Sequence, residues 1–226
     1  MNLIIGNGLI GRHLYYRLRP DAVLFSRKEL DLSRDGWELP ECGTVYICAA
    51  VTSTRECEED PKGSYLVNVT NTIRLAEKSK GHVVFLSSER VFDGSQPFRK
   101  VTDLVCPTTE YGRQKAEAEK VLLSMGVTVI RLSKVLGWDV PLFQGWIDDL
   151  NKNLPIYPFK NMSMSPLPVR FACEFIDRVS QVSGLHQISA LEDISYDRIA
   201  YHIANYMEKD MTLVHPIDVK EGHPNS

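Results

Sequence analysis

Gly6-Asn7-Gly8-Leu9-Ile10-Gly11 is the stretch that decides how this chain is read. It follows an apolar run that begins at residue 2 and contains Leu3, Ile4 and Ile5, and it opens a helical pattern over residues 9–18. Glycines at these three positions permit a tight turn, close backbone approach to a pyrophosphate, and close packing of a helix on a sheet. A helix starting at Leu9 would turn free N–H groups and its positive dipole end toward the phosphates. Glycines also occur between strand and helix for packing alone, so the motif gains weight only from its strand–turn–helix setting.

Working outward, strand and helix signals alternate over the first 130 residues. Apolar β-type runs fall at 3–5, 22–25, 45–48, 83–86 and 127–131, with helical stretches at 9–18, 65–80 and 109–125. Short continuous apolar runs suit strands covered on both faces. The alternation predicts an α/β fold, a Rossmann-like doubly wound parallel sheet. Beyond Arg131, prolines at 141, 155, 158, 166 and 168 break the pattern. Helices are expected at 143–151, 171–180 and 196–207, and strands at 186–189 and 212–214. The expected division is a nucleotide-binding domain over 1–137 and a small, partly interleaved substrate-facing lobe over 138–226. The last eight residues read as frayed or incomplete.

Composition narrows the class. A net charge of −3 gives no global attraction to nucleic acid or to an anionic membrane. No apolar run approaches the roughly 18 residues that span a bilayer. With no basic leader before the first strand, the chain is expected in the cytoplasm. Its five cysteines are odd in number and lack a C-x-x-C pair, and its six histidines are scattered. Neither a disulfide framework nor a metal site is expected.

The second strand ends in Phe25-Ser26-Arg27-Lys28, where NAD-binding folds place an acid against the ribose 2′-hydroxyl. A hydroxyl and two cations suit a 2′-phosphate instead, so NADP(H) is expected in preference to NAD(H), with Ser26 and Arg27 as its partners. Arg12 is an alternative phosphate partner. Asp31 and Leu32 lie one loop further on, where an acid could accept from the adenine amino group. Ala49 and Ala50 put small residues after the third strand, where a cofactor lies against backbone.

Ser87-Ser88 follows the strand at 83–86, at the carboxyl edge where open α/β sheets bind ligands. Tyr111 and Lys115 stand one helical turn apart at the start of the next helix. A lysine ammonium and a cationic nicotinamide would lower the phenol pKa, and Ser88 could hold the substrate oxygen. The combination predicts hydride chemistry with Ser88, Tyr111 and Lys115 as the catalytic set.

Three further stretches carry a resemblance. Cys48-Ala49-Ala50-Val51-Thr52, with Glu58-Glu59-Asp60-Pro61 and Val67-Asn68, resembles a "NAAAYT…EDEP…VN" segment. Ser87-Ser88-Glu89-Arg90-Val91-Phe92-Asp93-Gly94 resembles "STDYVFDG", and residues 131–137 resemble "RTSWVYG". Ser165-Pro166, residues 184–189 and Ile194-Ser195-Tyr196 echo "GSPT" and "GIYHLSG…VSY" more loosely. By these motifs the chain resembles the extended short-chain dehydrogenases/reductases, and within them the dTDP-4-dehydrorhamnose reductases. The resemblance implies an NAD(P)H-dependent reductase of a keto-sugar nucleotide, with Thr52, Ser88, Glu89, Arg90 and Lys134 on the substrate side. A homodimer is compatible with it.

The departures bear on specificity. Arg90 and Lys134 stand where the family has aromatics facing the sugar, and Arg55 stands where it has an aspartate. Three cations around one pocket imply an added anionic group on the substrate, such as a carboxylate, or a pyrophosphate seated differently from the family's, unless Glu89 and other local acids pair with them. Arg90 in place of a carboxylate disfavours a 4,6-dehydratase, and Glu89 in place of cysteine disfavours an epimerase–reductase. A nucleotide-sugar 4-epimerase stays open. So does a non-catalytic NADP-binding role, since the regulatory subunit of methionine adenosyltransferase resembles the same reductases. His223-Pro224-Asn225-Ser226 resembles "RPxNS", after which relatives continue; a compact relative or a missing part of the substrate lobe is the expectation there.

Overall fold

The computed structural model describes residues 1–219; the motif at 223–226 and most of the stretch read as frayed lie outside them. The chain runs β1 (Asn2–Ile5), α1 (Leu9–Leu18), β2 (Ala22–Phe25), β3 (Thr44–Ile47), α2 (Thr54–Glu59), α3 (Pro61–Tyr65), a π-helical segment (Leu66–Asn71), α4 (Thr72–Lys78) and β4 (His82–Ser88). A 3₁₀ turn (Glu89–Val91), α5 (Glu110–Ser124), β5 (Thr128–Leu132), β6 (Lys134–Leu136), α6 (Pro141–Asn151), β7 (Ser163–Met164) and β8 (Pro166–Pro168) follow. Then come α7 (Val169–Val179), β9 (Gly184–Ile188), β10 (Ile194–Ser195) and α8 (Tyr196–Tyr206).

Six strands form one sheet in the order β2-β1-β3-β4-β5-β9, every neighbouring pair parallel. The Rossmann-like doubly wound expectation is met. Successive strand residues point to opposite faces. Leu3, Ile5, Val45, Ile47, Val83, Phe85 and Val129 pack with Leu75, Ala76, Ala118 and Leu122 of α4 and α5. Ile4 faces the other way, where Gly11 lets α1 approach it, and α1 in turn packs on α7.

The chain divides into two compact units. One holds Met1–Leu132 and Val169–Ile188; the other holds Ser133–Pro168 and Ser189–Ser226. The division expected at residue 137 thus meets a chain that leaves the first unit after β5 and re-enters it for α7 and β9. The second unit has its own core, in which Phe143, Trp146 and Leu150 of α6 meet Ile199, Ala200 and Ile203 of α8.

Two local expectations are corrected. The helix expected at 65–80 is interrupted, because the Thr72 hydroxyl donates to the Val67 carbonyl at 2.9 Å and opens the α-ladder into the wider π turn. The strand expected at 212–214 is a 3₁₀ turn over Met211–Leu213. There the Asp210 carboxylate accepts from the Thr212 N–H at 2.8 Å, leaving Val214 a single bridge to Ile156.

Candidate active site

The loop after β1 is built around its outer glycines. Gly6 has φ +105°, and a Cβ there would lie 2.6 Å from the Ala49 backbone nitrogen. A Cβ on Gly11 would lie 1.8 Å from the Gly6 carbonyl oxygen. Both positions therefore exclude any side chain, and Ala49 is the small residue that lets the loop close on β3. Gly8 is the reverse case: a Cβ there meets nothing within 4 Å, and Asn7 and Gly8 are exposed. The first turn of α1, with Leu9 and Ile10, has no side-chain cap and no acid. Its N–H groups are left for an anion, so the loop fits a dinucleotide pyrophosphate. Beside it, the exposed Arg12 guanidinium donates to the Asn7 carbonyl at 2.8 Å.

The Gly6 N–H donates to the Phe25 carbonyl at 2.8 Å, which sets the end of β2 beside this loop. The polar groups there are engaged with one another. Ser26 donates to the Glu29 carboxylate through both its N–H and its hydroxyl. Arg27 pairs with Asp31 at 3.3 Å, and Asp31 also accepts from the N–H and hydroxyl of Ser33. These bonds hold the Asp31 carboxyl below its ordinary range. Leu32 is a core side chain whose carbonyl accepts from Asn71 Nδ2 at 2.7 Å.

At the end of β4 the side chains converge. Thr109 caps α5, accepting from the Gly112 N–H at 3.1 Å. A Cβ on Gly112 would lie 2.1 Å from the Arg90 carbonyl oxygen, so this glycine seats the first turn of α5 on the 3₁₀ turn. That seating sets the Tyr111 phenol close enough to the Ser88 side chain for the serine to favour its ionised form. The Ser88 Oγ accepts from the Arg90 N–H at 3.2 Å. Lys115, 3% exposed, donates to the Leu86 carbonyl at 2.9 Å and stands 4.4 Å above the Phe85 ring and 5.9 Å from the Tyr111 ring centre.

Burial dominates both ionisable groups. It pushes the Tyr111 phenol up to about 12, against the smaller opposing effects of the Ser88 side chain and the Arg90 charge. It pushes the Lys115 ammonium down to about 8, although Glu119 favours the charged form. In the protein's own field loss of water dominates and the Tyr111 shift is upward; the lowering expected from Lys115 together with a cationic nicotinamide belongs to the loaded site.

The remaining sequence candidates are placed as follows. Ala50 is half-buried and Thr52 exposed; Val51 between them is held at both N–H and carbonyl by the buried Asn68, at 2.8 and 2.9 Å. Glu89 is half-buried and Arg90 exposed. Arg55 does not join them as a free cation, since it pairs with Glu59 one turn along α2 at 2.7 Å. Lys134 opens β6 in the second unit, at an exposed position.

Sequence reasoning missed three supports. Asn68 Nδ2 donates to Gln114 Oε1 at 2.8 Å, and Gln114 donates to Ser64, a buried network under Val51. Arg131 and Glu119, about 3% exposed, form a forked pair with a shortest contact of 2.7 Å. Glu119 lies on the face of Tyr111 and Lys115 at i+8 and i+4, a legible signal. Glu29 stands in a Ser-x-x-Glu spacing with Ser26, also legible.

All five cysteines are free. Among the described residues there is no group of three or more metal-ligating side chains, and no helix is long and apolar enough to cross a membrane.

A family model described as "RmlD substrate binding domain" matches residues 2–225. A dTDP-4-dehydrorhamnose reductase of Aggregatibacter actinomycetemcomitans is 37% identical over 137 residues, covering 54% of this chain and 47% of that protein. Methionine adenosyltransferase 2 subunit beta of Pongo abelii is 26% identical over 126 residues, covering 54% of this chain and 35% of that protein. The alignments thus span about half or less of these relatives. Among solved structures, a dTDP-4-dehydrorhamnose reductase from Bacillus anthracis in complex with NADP superposes with a TM-score of 0.85 at 21% identity, covering 96% of this chain and 84% of that one. At that identity the likeness speaks for the fold.

Proposed function

The chain belongs to the RmlD substrate binding domain family, within the extended short-chain dehydrogenases/reductases, and on that premise we propose that it reduces a keto-sugar nucleotide with NADP(H). The observation that carries this reading is the convergence at the end of β4 of Ser88, the buried Tyr111 phenol and the buried Lys115 ammonium, which donates to the Leu86 carbonyl at 2.9 Å. A reductase needs a group that holds its proton at neutral pH and releases it to an alkoxide, a far stronger base than phenolate.

The residues would act in named roles. Gly6, Asn7, Gly8, Leu9, Ile10 and Gly11 hold the pyrophosphate, and Ala49 and Ala50 line the backbone beside it. The dinucleotide, when bound, supplies the hydride. Ser26 and Arg27, with Lys28, give preference to a 2′-phosphate, and Asp31 and Leu32 border the adenine. Ser88 donates to the carbonyl oxygen, Tyr111 protonates it as charge develops, and Lys115 holds the ribose and supports the phenolate that remains. Thr52, Glu89 and Arg90 contact the sugar nucleotide, and Arg90 favours an anionic group on it.

The test is NADPH oxidation against a panel of keto-sugar nucleotides, neutral and carboxylated. Turnover of at least one member is expected, with the carboxylated one preferred. A second reading comes from the methionine adenosyltransferase subunit among the relatives. Tight NADPH binding with no reduction of any panel member would favour that binding role over catalysis.

A further inference from the structure

Glu29 lies three residues beyond Ser26, in the exposed turn after β2. Its Oε2 accepts from the Ser26 N–H at 2.8 Å and from the Ser26 hydroxyl at 2.5 Å. The Ser26 oxygen in turn accepts from the Lys28 N–H at 3.2 Å, and the Ser26 carbonyl accepts from the N–H groups of Glu29 and Leu30. One carboxylate oxygen therefore rests on a backbone N–H and a hydroxyl at the carboxyl end of a strand, with Arg27 and Lys28 between the two residues in sequence. This is a small anion site that holds an anion of its own.

The donors concerned are the ones a 2′-phosphate would use. We propose that Glu29 is a specificity-determining residue, an internal occupant of the Ser26 donors that the 2′-phosphate of NADP(H) must displace and that the 2′-hydroxyl of NAD(H) can donate to in place. The proposal rests on the reading that a nicotinamide dinucleotide lies along the 6–11 loop. Displacement breaks two charge-assisted hydrogen bonds and brings a dianion toward a carboxylate. The Ser26 bonds hold the Glu29 carboxyl below its ordinary range, so the occupant stays charged at neutral pH. Arg27 must also give up part of its pairing with Asp31 at 3.3 Å to meet the phosphate. Selection for NADP(H) is then narrower than a serine flanked by two cations would give alone.

Equilibrium titration of the intact protein with NADPH and with NADH, followed by nicotinamide fluorescence, tests this in Glu29→Ala and Glu29→Gln. Either variant is expected to tighten NADPH binding by about ten-fold, the scale of one charge-assisted hydrogen bond, and to leave NADH unchanged or slightly weaker. Unaltered thermal melting would show that the exposed substitution leaves the fold intact. If both cofactors bind and their affinity ratio is the same in all three proteins, Glu29 has no selecting role while the dinucleotide reading stands. If neither cofactor binds the unmutated protein or the variants, the inference and the reading fall together.

Discussion

The ends of β2 and β4 both lie at the carboxyl edge of one parallel sheet and both carry a serine, yet they are finished in opposite ways. Around the end of β4 the converging groups are buried, a phenol and an ammonium whose proton affinities burial has moved by large amounts. At Ser26 the neighbours are exposed or half-buried and neutralise each other through Glu29, Arg27 and Asp31. Burial turns a few polar groups into reactive ones, because water no longer screens them or competes for their hydrogen bonds. On an exposed turn the same kinds of groups settle into local pairs, and what they contribute is selection between ligands that can or cannot break those pairs.

Substitutions at the two ends should separate these behaviours. The largest effect is expected from Tyr111→Phe, which keeps the ring and removes the proton. Turnover should fall by at least about a hundred-fold while the NADPH dissociation constant moves little, read from steady-state kinetics beside fluorescence titration. Undiminished turnover would assign the proton to another acid.

Lys115 offers a test on stability. Its folded-state pKa of about 8 lies below the ordinary 10.5, so the unfolded chain binds more protons between those values. Stability should therefore rise with pH through that window, and the cost of the buried charge is fully present below about pH 8. Lys115→Met should remove the rise and stabilise the fold at pH 7 by up to roughly 3 kcal/mol, measured by denaturant titration across pH. NADPH affinity of the unmutated protein should decline as pH increases past about 8, where the ammonium is lost.

At the β2 end the effects are smaller and fall on binding. Arg27→Ala should weaken NADPH by roughly ten-fold and leave NADH nearly unchanged. Its effect on folding should stay within about 0.5 kcal/mol, because an exposed pair with Asp31 contributes little. Equal loss for both cofactors would mean that Arg27 does not meet the 2′-phosphate. At the end of β4, charge reversal at Arg90 should raise KM for the accepted sugar nucleotide by a few-fold and spare NADPH affinity. An unchanged KM would remove the anionic-substrate reading.

Legibility followed the range of the interaction. The glycine loop, the strand–helix alternation and the Tyr111–Lys115 spacing could be read because backbone sterics and helical period act within a few residues. The Ser88–Tyr111 proximity was legible only as a consequence of the fold, since a sheet edge brings the end of β4 and the start of α5 together. The sign of the Tyr111 pKa was not legible, because it depends on how much chain closes over the hydroxyl. The engagement of Ser26 by Glu29 is written in a Ser-x-x-Glu spacing, which the reading of Ser26-Arg27-Lys28 as a 2′-phosphate site passes over. The π segment could not be foreseen, as it turns on one choice of partner by the Thr72 hydroxyl.

The excursion of the chain between β5 and β9 constrains how the protein can be made. β9 pairs with β5 from Thr128↔Gly184 to Leu132↔Ile188, so the last seam of the sheet closes only after the intervening 133–168 segment has been synthesised. Until then β5, with Val129 and Ile130 facing opposite sides, is an apolar edge with unpaired backbone groups, the kind that recruits other chains. A gene fragment stopped near residue 137 would keep every candidate catalytic side chain and still yield an edge prone to aggregation. A permuted gene that placed 169–188 directly after 132 would instead let the sheet zip in sequence order, with lower contact order and faster folding.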